Sequence, residues 1–269
     1  RPGLNLYTNS IVILDAKTGA FKEYYQLTPN DFHDWDVAAT PALIKTRGGK
    51  NLIVAGGKDG ILHAVDPSQK REIYRTPVTT IENADTPLSE DKVTRFCPGV
   101  QGGVEWNGPA FHPAANLVFV NSIDWCYSLK LFPQNLKGEV GKPFTGGTSV
   151  DEPFGTVDPK EKWKGYVTAV NADDGSVKWK YQSPTPMVAG ITTTGGGLVL
   201  TADLNGDVLA LDAANGKLLW KQNSGAPVGG GVITYSVGGK QYVAVATGIT
   251  SMSWQTKAGN AKVVVYALP

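Results

Sequence analysis

One pattern recurs along the 269 residues: an apolar run, an Asp or Asn, a short turn, then an aromatic residue. It reads IVILDAKTGAFKEYY at 11–25 and ILHAVDPSQKREIY at 61–74. It returns as YVTAVNADDGSVKWKY at 166–181 and DVLALDAANGKLLWKQ at 207–222. The apolar runs have the character of half-buried strands. The acid or amide starts a turn by bonding its own backbone, and the Gly that follows accepts a positive φ. Each copy therefore predicts a hairpin, with the aromatic on its second strand. Trp179 and Trp220 hold equivalent places 41 residues apart, and Asp15 and Asp66 lie 51 apart. Hairpins repeating every 40–50 residues point to β-propeller blades. Further strand signals stand between the repeats at 52–57, 117–122, 197–202, 242–247 and 263–268. Together they predict an all-β fold of roughly four blades, each a four-stranded antiparallel sheet. Such a set fits either a small four-bladed ring or half of a larger one, in which case two sheet flanks stay open.

Composition agrees with many short strands. Gly is 32 of 269 and Pro 17, a wealth of turn residues with no G-X-Y period. The balance of 25 basic and 24 acidic residues gives no reason to propose nucleic acid or an anionic membrane as partner. No apolar run reaches the roughly 18–20 residues a membrane helix needs. The whole of 1–269 reads as one partial propeller domain. Stretches 76–110 and 128–165, rich in Pro, Gly and charge, read as long insertions, as lids or partner contacts often are. Cys97 and Cys126 form no C-x-x-C or haem motif; on residues alone, two free thiols and one disulfide are equally good readings. His33, His63 and His112 lie in separate repeats, which favours structural roles over a zinc site. The chain shows no Ser/His/Asp triad, and its glycine cluster at 190–197 lacks the helix of a phosphate loop.

Five segments carry a more specific signal: Arg1-Pro2-Gly3, DFHDWDVAATPAL at 31–43, GGKDGILHAVD at 56–66, GGVEWNGPAFHP at 102–113 and GGGLVLTADLNGDVLALDAANGKLLW at 195–220. In these the chain resembles the PQQ-dependent (pyrroloquinoline quinone) alcohol dehydrogenases, eight-bladed propellers whose Trp repeats dock blade on blade. The resemblance implies the C-terminal half of that propeller domain. It makes Asp36, the last acid of His-Asp-Trp-Asp, the base that takes the alcohol proton. Without the resemblance, Asp31, Asp34 and Asp36 would read as turn caps. It places Lys58 on the quinone C5 carbonyl oxygen, where a cation stabilises developing oxyanion charge; a solvated hairpin tip is the alternative.

By the same resemblance Glu105, Trp106 and Asn107 stand where relatives bind the quinone through an amide. Asp124 and Trp125 match a strand end facing the cofactor. Val188 and Ala189, before Gly190, replace a Trp-Gly-Gly, which alters the pocket. Because both cysteines fall in cofactor-side segments, the resemblance favours a Cys97–Cys126 disulfide. Ala38 stands where lanthanide-using members carry a second Asp, which argues for calcium. The metal ligands, the Trp stacked on the quinone and its vicinal disulfide precede this segment in the family. Part of the site is therefore expected from an N-terminal half of the propeller, on another segment or chain. The implied activity is oxidation of a small alcohol to an aldehyde in the periplasm, with electrons passing to a separate acceptor such as a cytochrome c or a quinone. A non-catalytic propeller of the same repeats, serving as a binding or assembly scaffold, needs neither H-D-W-D nor G-K-D-G.

Overall fold

Each repeat folds into the outer hairpin of a sheet, and its acid or amide caps the turn. The computed structural model describes residues 3–133, 137–144, 154–251, 253–256 and 259–267. Asp15 Oδ1 accepts the amides of Lys17 and Thr18, and Asp66 Oδ1 accepts those of Ser68 and Gln69. Asn171 and Asp212 cap through Asp173 and Ala214 in the same way. Four residues after each of these caps the chain turns left-handed, at Gly19, Lys70, Gly175 and Gly216.

The sheets are antiparallel meanders. A two-stranded ribbon, Ser10–Leu14 with Phe21–Gln26, comes first. The first four-stranded blade runs Ala42–Lys45, Asn51–Gly56, Ile61–Asp66 and Arg71–Pro77. The second uses Ala110–His112, Leu117–Asp124, Lys164–Asn171 and Val177–Ser183. The third uses Thr192–Thr193, Leu198–Ala202, Asp207–Asp212 and Leu218–Asn223. Val232–Val237, Lys240–Thr247 and Lys262–Ala267 close the series as a three-stranded sheet. This is the partial propeller that the repeats predict.

Separate apolar layers fill the spaces between successive sheets. Ile11, Leu27, Ile53 and Val65 pack between ribbon and first blade. Val54, Leu62, Val118 and Val170 pack between the first and second blades. Phe119, Val167, Leu209 and Leu211 join the second to the third. The repeat aromatics lock these layers from outside. Trp179 donates its indole N–H to the Ala213 carbonyl at 3.1 Å and covers Gly216, whose added Cβ would meet the ring at 2.5 Å. Tyr74 covers Gly175 in the same manner one blade earlier. Gly216→Ala combines a positive φ with a collision against Trp179, and is expected to cost about 1–3 kcal/mol; a denaturant midpoint unchanged from wild type would contradict this docking.

The stretches 76–110 and 128–165 do more than loop outward. Thr94–Phe96, Tyr127–Leu129 and Thr156–Val157 pair with one another as an additional three-stranded sheet. Cys97 and Cys126 form a disulfide beside it, so the open alternative of two free thiols is resolved. Between this sheet and the blades lies an aromatic cluster that includes Trp35, Phe96, Trp125, Tyr127, Trp163 and Trp254. Among the described residues no helix is long and apolar enough to cross a membrane. At the ends of the series apolar side chains stand in solvent, including Leu14 of the ribbon (53% exposed) and Val263 of the last sheet (71%).

Candidate active site

Asp36 and Lys58 meet through backbone and side chain together. The Lys58 amide donates to the Asp36 carbonyl at 2.9 Å, and Lys58 Nζ lies 3.0 Å from Asp36 Oδ2. The loop at 31–36 is shaped by Asp31, whose carboxylate accepts the amides of His33 and Trp35. Asp31 is thus a turn cap, whereas Asp36 is committed to Lys58. Asp34 adopts φ 67° between them. His33 and Trp35 turn inward and stack at 4.0 Å, while Phe32, Asp34 and Asp36 face outward. Trp35 anchors the loop by donating its indole N–H to the Gly99 carbonyl. Asn5, Thr8, Asn9, Asp31, Asp34 and Asp36 border an open cleft of about 440 Å³.

Lys58 occupies the tight turn Gly57–Gly60, closed by the Gly60 amide on the Gly57 carbonyl. The segment leading to Glu105 lies flat on this turn. Gly103 donates to the Lys58 carbonyl at 2.9 Å and Val104 to that of Gly57 at 3.2 Å. Such an approach requires glycine at 102, where a Cβ would fall 2.4 Å from Lys58 Cβ. Glu105 is delivered next to Lys58 and is only 6% exposed. The Lys58 side chain is 14% exposed and that of Asp36 52%.

Burial raises the Glu105 carboxyl to about 7, against the pull of Lys58 and with the help of Asp36 and Asp34. Burial works against the charge on Lys58, but Glu105, Asp36 and Asp34 outweigh it and raise that group. Burial also raises Asp34, with Lys58 opposing. The result is a held ammonium, an outward carboxylate and a buried carboxyl that is half protonated near neutrality. Between about pH 4.5 and 7 the folded state carries the extra proton on Glu105, so stability falls as pH rises through that window. The expected fall is roughly 3 kcal/mol. Chemical denaturation at pH 5 and pH 6.5, below the range in which His63 loses its proton, should show this slope in the native protein and lose it in Glu105→Gln.

The other sequence-predicted positions do not join this cluster. The Asn107 side chain is engaged by the Glu105 amide and the Asn121 carbonyl. The Asp124 carboxylate accepts from the Thr79 hydroxyl and from the amide and hydroxyl of Thr80. Trp125 and Val188 are packed in the aromatic cluster, and Ala189 is buried with its carbonyl bonded by Asn121. Trp106 remains 44% exposed, its indole N–H on the Gly229 carbonyl and its ring edge-on to Trp254. Trp254, which stacks on Trp125 at 4.8 Å and 6°, gave no signal in sequence because it sits in no repeat. Among the described residues no three His, Cys, Asp or Glu side chains gather to hold a metal ion.

A row of Trp-docked meander sheets, with a Lys–Asp pair set on a loop and a blade turn, defines a partial β-propeller. The family model described as "Glucose/ethanol/alcohol dehydrogenase, beta-propeller domain" matches residues 1–74. One described as "Outer membrane protein assembly factor BamB" matches 163–265. The chain is 27% identical to the putative dehydrogenase XoxF of Paracoccus denitrificans, over 93% of its own length and 45% of that protein's. It is 30% identical to the quinohemoprotein alcohol dehydrogenase of Comamonas testosteroni, over 91% of this chain and 37% of the other. The crystal structure of the Comamonas testosteroni enzyme superposes with a TM-score of 0.79, at 25% identity, covering 98% of this chain and 43% of that one. A europium-containing methanol dehydrogenase shares the fold at TM-score 0.76 and 24% identity, over 90% of this chain and 45% of that one. Over nearly its whole length the chain is similar to quinoprotein alcohol dehydrogenases, and it spans less than half the length of these relatives.

Proposed function

We propose that this chain supplies the proton-accepting and cationic side of a PQQ-dependent alcohol dehydrogenase site. The observation that carries the reading is the Asp36–Lys58 pair at 3.0 Å, open to a cleft and backed by buried Glu105. A quinone carbonyl suits this donor set. The Lys58 ammonium has three hydrogens, so the one directed at Asp36 leaves two for a ligand oxygen. PQQ, when bound, supplies an electrophilic C5 carbonyl carbon that accepts hydride. Lys58 donates to the carbonyl oxygen and stabilises the charge that develops there. Asp36, the exposed member of the pair, takes the hydroxyl proton of a small alcohol. Glu105 keeps Lys58 charged and oriented from the buried side.

The described residues do not by themselves form a calcium site. Calcium belongs to the proposal only with ligands from outside this chain; Ala38 stands where lanthanide-using relatives carry a second Asp, which favours calcium over a trivalent ion. The exposed apolar ends of the row of sheets support pairing with the rest of a propeller. The disulfide supports an oxidising compartment such as the periplasm. A separate electron acceptor, a cytochrome c or a quinone, completes the cycle.

A scaffold role is the second reading. It is favoured by the assembly-factor match to 163–265, since Asp36, Lys58 and Glu105 all lie outside that span. Native mass spectrometry of the full-length protein as isolated separates the two. A species carrying quinone mass and calcium is the expected result. Protein free of quinone, and unable to take it up from added PQQ and Ca²⁺, would overturn the enzymatic reading.

A further inference from the structure

His63 is fully buried in the strand that follows the Lys58 turn, and a carboxylate meets each of its ring nitrogens. Nε2 lies 2.9 Å from Asp59 Oδ2 and Nδ1 lies 2.6 Å from Glu72 Oε1. Two carboxylates can both be satisfied only if both nitrogens bear hydrogen, so the ring is an imidazolium. Asp59 is the residue next to Lys58. Its carboxylate also accepts the Ile61 amide within the turn and the Thr28 hydroxyl at the end of the ribbon. Arg75 stands at 3.8 Å from Asp59 and 3.9 Å from Glu72, on the solvent side. These groups make up the charged surroundings of His63 among the described residues.

The repeats show that this network is not required by the blade. Aligned on their turn caps Asp66, Asn171 and Asp212, His63 corresponds to Thr168 in the second blade and Leu209 in the third. Strand registers agree: His63 faces Arg75, Thr168 faces Lys180 and Leu209 faces Lys221. Glu72 corresponds to Val177 and Leu218, and Asp59 to Asn205 in the third blade. A propeller blade folds with neutral residues at each of these places. The charged trio occurs in the blade whose turn carries Lys58, where the third blade has Leu204.

We propose that His63 is a positioning residue for Lys58: clamped between Asp59 and Glu72, it fixes the Gly57–Gly60 turn and the reach of the ammonium toward Asp36. This rests on the functional reading above only for its catalytic consequence. Asp59 transmits the constraint, because one carboxylate joins the buried cation, the turn amide and the ribbon. Burial alone would discharge the ring, but the bonds to Asp59 and then Glu72 outweigh it and raise its proton affinity. The clamp is therefore complete below pH 6.5 and is lost as pH rises through the raised value, not on acidification.

Imidazole ¹⁵N NMR on the full-length protein tests the charge directly. Both His63 nitrogens should be protonated at pH 7; a neutral tautomer at that pH would overturn the clamp. The triple variant D59N/H63L/E72L copies the third blade and is expected to fold without leaving a buried unpaired charge, since Arg75, which loses both carboxylates, is 53% exposed. In it, Lys58, followed by [ε-¹³C]lysine NMR, should titrate closer to an ordinary lysine as its pair with Asp36 loosens. Turnover should fall by roughly ten- to a hundred-fold at little change in KM. A folded triple variant whose Lys58 titrates as in wild type would rule out the positioning role. Because the NMR readouts need no cofactor, they stand even if the protein proves to bind no quinone.

Discussion

Asp36→Asn is expected to leave the fold and quinone binding intact while dye-linked alcohol oxidation falls by roughly 10²- to 10⁴-fold. The amide has the size of the carboxylate and its oxygen still accepts from Lys58 Nζ, so the 3.0 Å contact survives. It cannot take a proton from an alcohol. Stability should change little, because the Asp36 side chain is half-exposed and ion pairs of that kind contribute on the order of 1 kcal/mol or less. The measurement is kcat at saturating alcohol together with a melting curve. Turnover equal to wild type would remove Asp36 as the base; joint loss of turnover and stability would assign it a structural part instead.

Removing the disulfide should have the largest effect on stability. Cys97 and Cys126 are 29 residues apart, and closing a loop of that length restricts the unfolded chain by about 3–4 kcal/mol. Its loss would also be felt near the site. Just beyond Cys97, the Gly99 amide bonds the Trp125 carbonyl, and the Gly99 carbonyl receives the Trp35 indole that anchors the 31–36 loop. The variant Cys97→Ala/Cys126→Ala should unfold at lower denaturant, and wild type treated with reductant should approach it. Unfolding free energies of the double variant and oxidised wild type within about 1 kcal/mol of each other would mean that the aromatic cluster holds this region unaided.

The fold was legible because blade chemistry is local. Asp15, Asp66, Asn171 and Asp212 announce their turns by residue type, and Trp179 and Trp220 mark the docking strand. The exception is instructive. Lys70 holds the left-handed place that Gly19, Gly175 and Gly216 hold in the other repeats, at φ 52° and with no glycine to advertise it. The insertions were legible only as interruptions. Their strands are two or three residues long and pair across the chain, between 94–96, 127–129 and 156–157, so neither period nor turn residues reveal them.

The site divides along the same line. Motifs singled out Asp36, Lys58 and Glu105, and these three do assemble. Asn107 and Asp124 lie within a few residues of the same segments, yet their polar atoms are taken up by Asn121, Thr79 and Thr80. The proton affinity of Glu105 and the charge of His63 were beyond any motif. The first arises from burial beside Asp36 and Asp34, the second from Asp59 and Glu72, whose bonds outweigh the burial of the ring.

By itself, the sequence determined the strands, the capped turns, the aromatic docking positions and the residue types available for chemistry, since each depends on neighbours a few positions away. Only the tertiary structure decided which acid became a cap and which a partner for Lys58. It also decided that two interruptions would form one disulfide-tied sheet, and that His63 would sit between two carboxylates. Hydrogen bonding and desolvation are settled by atoms that meet in space, and those meetings join residues far apart in the chain.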